Sequence, residues 1–247
     1  MNIIALIPAR LDSTRFNRKL MMDLCGKPVI TRTYNAVVST NLFTSTIVVT
    51  QDKEVYQEIR LNNGNSILID KEYNSGTDRI ADACIDIEAD VIINIQGDEP
   101  LLNTDHLEQL IDCFDDPSTS ISTLALKIKA GVKLEEGKVF LTKDKHNFAL
   151  YFSRYPIPYN RDLPKEEWSN NHQYYQHIGI YGFRKDALER FANMNESPLE
   201  KSEKLEQLRW LEAGEKIKVT VTDKYSQPVD TKEDLEKVRT IFQSKGE

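Results

Sequence analysis

The feature that most constrains this chain is an alternation in its first half, where short apolar runs rich in β-branched residues are separated by stretches of helical periodicity. Apolar runs lie at 3–7, 46–50, 67–69 and 91–95, and the segments 29–39, 54–61, 78–87 and 104–114 carry helical patterning between and after them. Strands that are apolar throughout must be covered on both faces, so this order reads as βαβ units building a parallel sheet. In open sheets of this kind ligands bind at the carboxyl ends of the strands. Those ends are the polar stretches after Ile7, Thr50, Ile69 and Ile95.

From Ser122 the pattern changes to strand-like stretches at 123–128, 139–141, 149–153 and 177–183, interrupted by a Pro-rich, aromatic and charged segment at 155–175. Helices are expected at 186–192 and 202–212, a strand at 217–221, and a last helix near Thr231, where Thr231 and Asp234 resemble a capping box. The expected organisation is one domain over 1–247 with an insertion or subdomain at about 122–185, a candidate dimer surface.

With 247 residues, 40% of them hydrophobic and 29% charged, the chain can bury a substantial core without staples. Its net charge of −7 sets the overall field against a nucleic acid backbone, so no nucleic acid partner is expected. Cys25, Cys84 and Cys113 lack any paired metal-ligand spacing, which indicates neither a structural zinc nor a disulfide framework. The first apolar run stops at Pro8 and Arg10, too short for a signal-peptide core, and nothing later approaches the ~20 apolar residues of a membrane span. A cytoplasmic protein with no membrane partner is expected.

Directly after the first strand, 7–20 read IPARLDSTRFNRKL and gather Arg10, Arg15, Arg18 and Lys19 in an otherwise acidic protein. Cations at a strand's carboxyl end suit a polyanion such as a nucleoside triphosphate, with Arg supplying forked hydrogen bonds and Ser13 a hydroxyl. A solvated basic loop is the competing reading. Neither GxGxxG nor GxxxxGK[ST] follows that strand, which disfavours a nicotinamide enzyme or a P-loop ATPase. The run at 91–95 ends in Gln96, Gly97, Asp98, Glu99 and Pro100 and sets Asp98 at the mouth of the sheet. Magnesium takes one or two protein carboxylates, so Asp98 fits such an ion, although a turn Asp capping its own backbone fits as well. Asp230, ahead of the last helix, is a candidate second carboxylate, against a simpler role complementing the helix dipole.

Taken together the segments resemble the 3-deoxy-manno-octulosonate cytidylyltransferases. The resemblance runs through IPAR at 7–10, SGTDR at 75–79, NIQGDEP at 94–100, ALYFSR at 149–154, HIGIYGFR at 177–184, LEQLR at 205–209 and VDTKEDLE at 229–236. It implies a Rossmann-like nucleotidyltransferase fold, α/β, with a mostly parallel central sheet, helices on both faces and a smaller sugar-binding and dimerisation subdomain. It also implies that Pro8, Ala9, Arg10, Ser13 and Lys19 meet the phosphates of CTP, that Ser75, Gly76 and Thr77 lie near base and ribose, and that Arg79 lies close by. By the same resemblance Asp98 and Asp230 hold magnesium, and Gln96, Arg154, His177, Tyr181, Glu206 and Gln207 meet the acidic sugar. Arg10, Lys19 and Asp98 form the implied catalytic set, and a homodimer is implied.

The chemistry of these side chains agrees, since Arg154 can pair with a carboxylate while His177, Tyr181, Glu206 and Gln207 mix donors and acceptors for a ring of hydroxyls. On their own, without the resemblance, His177 and Tyr181 read as core residues of a strand, and Glu206 and Gln207 as a solvated helix face. The family's first loop has Pro and Gly before its lysine, whereas this chain has Asn17 and Arg18, and a missing Gly removes a backbone conformation that Gly adopts most readily. Its late motif has Gly before and Pro after, where Pro228 and Lys232 stand here; Glu135 and Glu136 replace the usual Asn. The expected reaction is in-line attack of the sugar's anomeric hydroxyl on the α-phosphorus of CTP, releasing pyrophosphate and serving lipopolysaccharide or capsule synthesis. Rival readings are a cytidylyltransferase for an 8-amino analogue or a nonulosonate, and a non-catalytic nucleotide-binding homologue.

Overall fold

The first apolar run forms strand β1 (Ile3–Ala9), whose seven residues are all buried. The computed structural model describes residues 1–12, 16–71, 73 and 76–244. After β1 comes a two-stranded ribbon, β2 (Asp23–Leu24) and β3 (Lys27–Pro28). Its turn residues Cys25 and Gly26 have φ of 52° and 81°, the left-handed pair that a two-residue hairpin loop requires. Arg32 pins this ribbon to helix α1 (Val29–Ser39) by donating to the carbonyls of Leu24 at 3.0 Å and Cys25 at 2.6 Å.

The alternation then continues with β4 (Ser45–Thr50), α2 (Lys53–Leu61), β5 (Asn65–Leu68), α3 (Gly76–Ala83), β6 (Val91–Asn94) and α4 (Thr104–Asp112). These strands pair in parallel in the order β6-β1-β4-β5, with Ile4 facing Ile92 on one side and Ser45 on the other, and Val48 facing Ser66. Continuous burial of Leu6, Ile7, Val48, Val49, Ile92 and Ile93 is what the unbroken apolar runs demand of a sheet covered by helices.

The chain divides into two compact units, one formed by Met1–Glu108 with Ser226–Glu247 and the other by Gln109–Tyr225. The second unit contains β7 (Ile121–Lys127), β8 (Phe140–Lys143), β9 (Ala149–Ser153), the short α5 (Trp168–Asn171), β10 (Tyr175–Arg184), α6 (Lys185–Ala192), α7 (Pro198–Glu203), α8 (Gln207–Glu212) and β11 (Ile217–Thr222). Within it β11 runs parallel to β7, and β7, β10, β8 and β9 follow as antiparallel neighbours. The β10 register shifts between Ile178 and Tyr181, and the Thr123 hydroxyl fills the irregularity by donating to the Ile180 carbonyl at 2.9 Å.

The single helix expected at 202–212 is in fact two. Ser197 opens α7 with a full capping box on Glu200, with Pro198 in the first turn, and Lys204 closes it in the left-handed conformation at φ 52°. A buried ion pair, Arg209 to Glu200 at 2.6 and 2.7 Å, ties the two helices together. The final helix, Lys232–Ser244, returns to the first unit. Thr231 and Asp234 bond reciprocally at its start: Asp234 N donates to Thr231 Oγ1 and Thr231 N to Asp234 Oδ2, both at 3.1 Å. No helix among the described residues is long and apolar enough to cross a membrane.

Candidate active site

In the first unit, Lys19 opens a 3-10 turn (Lys19–Met21) immediately after Arg18. Arg18 itself takes φ 56° in the place where the resembling family has Gly, so the conformation is kept without the residue that adopts it most cheaply. Its N–H bonds the Leu11 carbonyl at 3.0 Å and its guanidinium meets Glu54 at 2.5 and 2.6 Å, contacts that offset the backbone cost. Lys19 thereby points its ammonium at two carboxylates, Asp98 in a short hydrogen bond and Asp230 at 2.9 Å.

Asp98 and Asp230 come from opposite ends of the sequence, and the Val229 N–H donating to the Asp98 carbonyl at 2.9 Å holds their two segments side by side. Gly97 permits this, because a Cβ there would stand 3.0 Å from Ile30 and 3.4 Å from the Pro8 carbonyl. Burial alone would lower the Lys19 ammonium, but the charges and hydrogen bonds of the two aspartates outweigh it and raise its pKa. Next to the trio, Glu99 is buried, and desolvation followed by the Asp98 charge pushes its pKa up to about 8. The Ser226 hydroxyl lies 3.0 Å from Glu99 Oε2 and 3.1 Å from the Leu101 carbonyl, and its hydrogen bond to the carboxyl opposes that rise. Among the described residues no group of three or more His, Cys, Asp or Glu is placed to hold a metal, so Asp98 and Asp230 stand as a two-carboxylate site.

Pro8 and Ala9 end β1, paired with Val49 and Thr50, and Gly76 begins α3 so close to Pro8 that a Cβ would lie 3.3 Å from its ring. Thr77 is buried and lies 3.4 Å from Asn94 Nδ2. Arg79 on the same helix is 3% exposed. Its pKa is lowered by burial and then by the charge of Arg10, which places two guanidinium groups within each other's field. Ser13, Arg15 and Ser75 fall outside the described residues. Gln96 is half-buried in the turn after β6.

In the second unit, His177 and Tyr181 sit on β10 either side of its irregularity. Thr123 Oγ1 gives its hydrogen to Ile180 O, so its lone pair accepts from His177 Nε2–H at 2.9 Å, which assigns the tautomer. Burial pushes the His177 imidazole down to about 3, although part of the residue remains accessible to solvent; that access tempers the size of the effect without changing its direction. The ring packs edge-on to Phe152 and 5.3 Å from Tyr181. Tyr181 is 3% exposed and its pKa is raised by burial and by the Glu206 charge. Its Oη and the Nε2 of Gln207 are buried without a partner among the described residues. Glu206, whose charge reaches Tyr181, immediately precedes α8, so four of the expected sugar residues share one neighbourhood.

Arg154 is placed differently. Its guanidinium donates to the carbonyls of Glu203 at 2.8 Å, Lys204 at 3.0 Å and Gly137 at 3.3 Å, clamping the left-handed turn that ends α7. Sequence reasoning also missed Thr123, Ser226 and Gln51. Gln51 had a signal, since it directly follows β4 on the ligand-binding edge, whereas Thr123 and Ser226 depend on register and on contacts far apart in sequence.

A family model described as cytidylyltransferase matches residues 4–217. Among curated relatives, the 3-deoxy-manno-octulosonate cytidylyltransferase of Flavobacterium johnsoniae is 46% identical over 246 residues, covering 98% of this chain and 99% of that protein. That of Christiangramia forsetii is 43% identical over 244 residues, covering 97% and 96%. A solved CMP:2-keto-3-deoxy-manno-octonic acid synthetase complexed with CTP superposes with a TM-score of 0.91 at 35% identity, covering 99% of this chain and 100% of that one. The 4-diphosphocytidyl-2C-methyl-D-erythritol synthase of Anaerococcus prevotii, at TM-score 0.64 and 14% identity over 98% of both chains, shares the fold alone.

Proposed function

The chain belongs to the cytidylyltransferase family and, within it, to the 3-deoxy-manno-octulosonate cytidylyltransferases, and on that premise we propose that it transfers CMP from CTP to the anomeric hydroxyl of 3-deoxy-manno-octulosonate. The observation that carries this reading is the convergence of Lys19, Asp98 and Asp230, contributed by three separate stretches of chain. The sugar's anomeric hydroxyl gives up its proton to solvent as its oxygen forms a bond to the α-phosphorus, the bond from that phosphorus to the α–β bridging oxygen breaks, and pyrophosphate leaves with the electron pair. Such a transfer needs positioning and charge stabilisation far more than covalent participation by the protein.

The two carboxylates suit a magnesium ion, because they already share one cation, the Lys19 ammonium, and magnesium takes only one or two protein carboxylates. Asp98 and Asp230 would hold it, and when bound it supplies charge neutralisation at phosphate and a lowered pKa for the attacking hydroxyl. Lys19 and Arg10 offset charge on the departing pyrophosphate. His177, Tyr181, Glu206 and Gln207 orient the sugar; the buried, unpartnered Tyr181 Oη and Gln207 Nε2 support that role. Arg154 shapes this pocket through the turn at Lys204. A cytoplasmic homodimer supplying lipopolysaccharide or capsule synthesis completes the proposal.

The test is pyrophosphate release from CTP and magnesium with 3-deoxy-manno-octulosonate, its 8-amino analogue or neuraminate as acceptor. Release with the first acceptor that disappears in Asp98→Asn is expected. Faster release with either of the others reassigns the sugar, and silence with all three from folded, CTP-binding protein overturns the reading.

A further inference from the structure

Arg79 is held in an unusual state of readiness. One of its terminal nitrogens donates to Gln51 Oε1 at 3.1 Å, and its guanidinium lies 5.8 Å from the centre of the Tyr73 ring, itself fixed by the Tyr73 hydroxyl donating to Asp82 at 2.5 Å. Yet Arg79 Nε is buried and has no acceptor among the described residues. Nearly every buried guanidinium N–H in a native fold finds a partner, and an orphan of this kind points to a ligand that is still to arrive.

The partner Gln51 supplies is neutral. A carboxylate at that position would hold the guanidinium equally well but would spend its charge; the amide oxygen orients the group and leaves the charge available. The nearby Arg10 adds a second positive charge and raises the cost of leaving the pair without an anion. Asp52, the acidic group acting on Arg79, already accepts the Leu11 N–H at 2.8 Å. Arg10, Gln51 and Asp52 follow the carboxyl ends of β1 and β4, the edge where such sheets bind ligands, and Arg79 reaches Gln51 from helix α3.

We propose that Gln51 is a positioning residue that aims the Arg79 guanidinium, together with Arg10, at the β- and γ-phosphates of the nucleotide. The inference rests on the CTP reading above and extends it to a residue and a division of labour: Arg10 and Arg79 grip the part of the nucleotide that leaves as pyrophosphate, separately from the groups that recognise the nucleoside.

The experiment measures the affinities of CTP, CMP and inorganic pyrophosphate by calorimetry for the wild type, Gln51→Glu and Gln51→Met. Gln51→Glu closes an ion pair on Arg79 at nearly unchanged shape, so affinity for CTP and pyrophosphate should fall about tenfold while that for CMP holds. Gln51→Met keeps the length without the acceptor and should show a smaller loss, about threefold, in the same direction. In turnover assays the KM for CTP should rise with kcat and the KM for the sugar nearly constant, a split that a merely structural residue would not produce. CTP affinity unchanged in both variants, or CMP affinity falling in step with CTP, overturns the proposal. Failure of the broader reading would appear instead in the wild type, as absence of turnover with the acidic sugar, and is thereby distinguishable. Should Gln51→Glu not fold, Gln51→Met still decides the outcome.

Discussion

The Lys19–Asp98–Asp230 trio of the first unit and the polar cluster of the second satisfy their polar groups in opposite ways. Asp98 and Asp230 are charged, and the chain already supplies their counter-charge in Lys19. Tyr181 and Gln207 are neutral and buried, and an oxygen of one and a nitrogen of the other have no partner among the described residues. The difference follows from cost. An uncompensated pair of partly buried carboxylates is expensive enough to disturb a fold, whereas an unmet neutral donor costs about 1–3 kcal/mol and can wait for a ligand.

The largest test of that contrast removes a charge from the trio. Asp98→Asn should lower pyrophosphate release on the order of 1,000-fold with little change in the melting temperature, since the amide still accepts from Lys19. Lys19→Met should reduce turnover about 100-fold and, unlike Asp98→Asn, destabilise the metal-free protein by about 2 kcal/mol in urea titrations, because two carboxylates then face each other. A melting temperature recovered by added magnesium would show that the missing counter-charge is the cause.

The cluster around His177 should answer to pH instead. Folding carries His177 from an ordinary pKa of 6.5 down to about 3, so between those values the unfolded chain binds a proton that the folded chain does not. Its contribution is therefore fully present above about pH 6.5 and is lost as pH falls toward 3, at about 1 kcal/mol per unit. Denaturation curves of the wild type and His177→Gln from pH 7 to 4 check this, and an unchanged slope in the variant would remove His177 as the cause. Tyr181→Phe deletes an unmet hydroxyl, and should raise the KM for the sugar about tenfold while leaving stability equal or slightly higher. Smallest of all, Arg154→Lys should cost about 1 kcal/mol of stability through the loosened turn at Lys204. A large change in sugar KM at unchanged stability would instead return Arg154 to direct contact with the carboxylate.

Much of this was readable beforehand, and what was missed has a common cause. Helix α1 was expected at 29–39 and is found at Val29–Ser39; the runs at 46–50 and 149–153 became Ser45–Thr50 and Ala149–Ser153, because periodicity and burial agree there. The break at 204–206 inside an expected helix escaped notice because a lysine, and neither Gly nor Pro, takes the left-handed position. Arg18 hid the turn before Lys19 for the same reason. In the site, the motifs led to Lys19, Asp98 and Asp230, but the ammonium between the carboxylates, the Glu99–Ser226 contact and the Thr123–His177 pair bridge 54 to 211 positions of sequence. Arg154 was given to the sugar by the family resemblance, with its charge suited to a carboxylate, and the three backbone carbonyls that hold its guanidinium in the fold could not be read from the sequence.

The first unit is written in two pieces, 1–108 and 226–247, with the other unit between them. During synthesis the ribosome therefore finishes Gln109–Tyr225 before it begins the last piece of the unit that it started first. At roughly 5–20 residues per second, the intervening segment alone delays the last piece on the order of ten seconds. Throughout that interval Asp98 has neither Asp230 beside it nor the Val229 N–H on its carbonyl. A polypeptide released before residue 229 lacks both partners, and the capacity to assemble the acidic pair arrives only with the final stretch of the message.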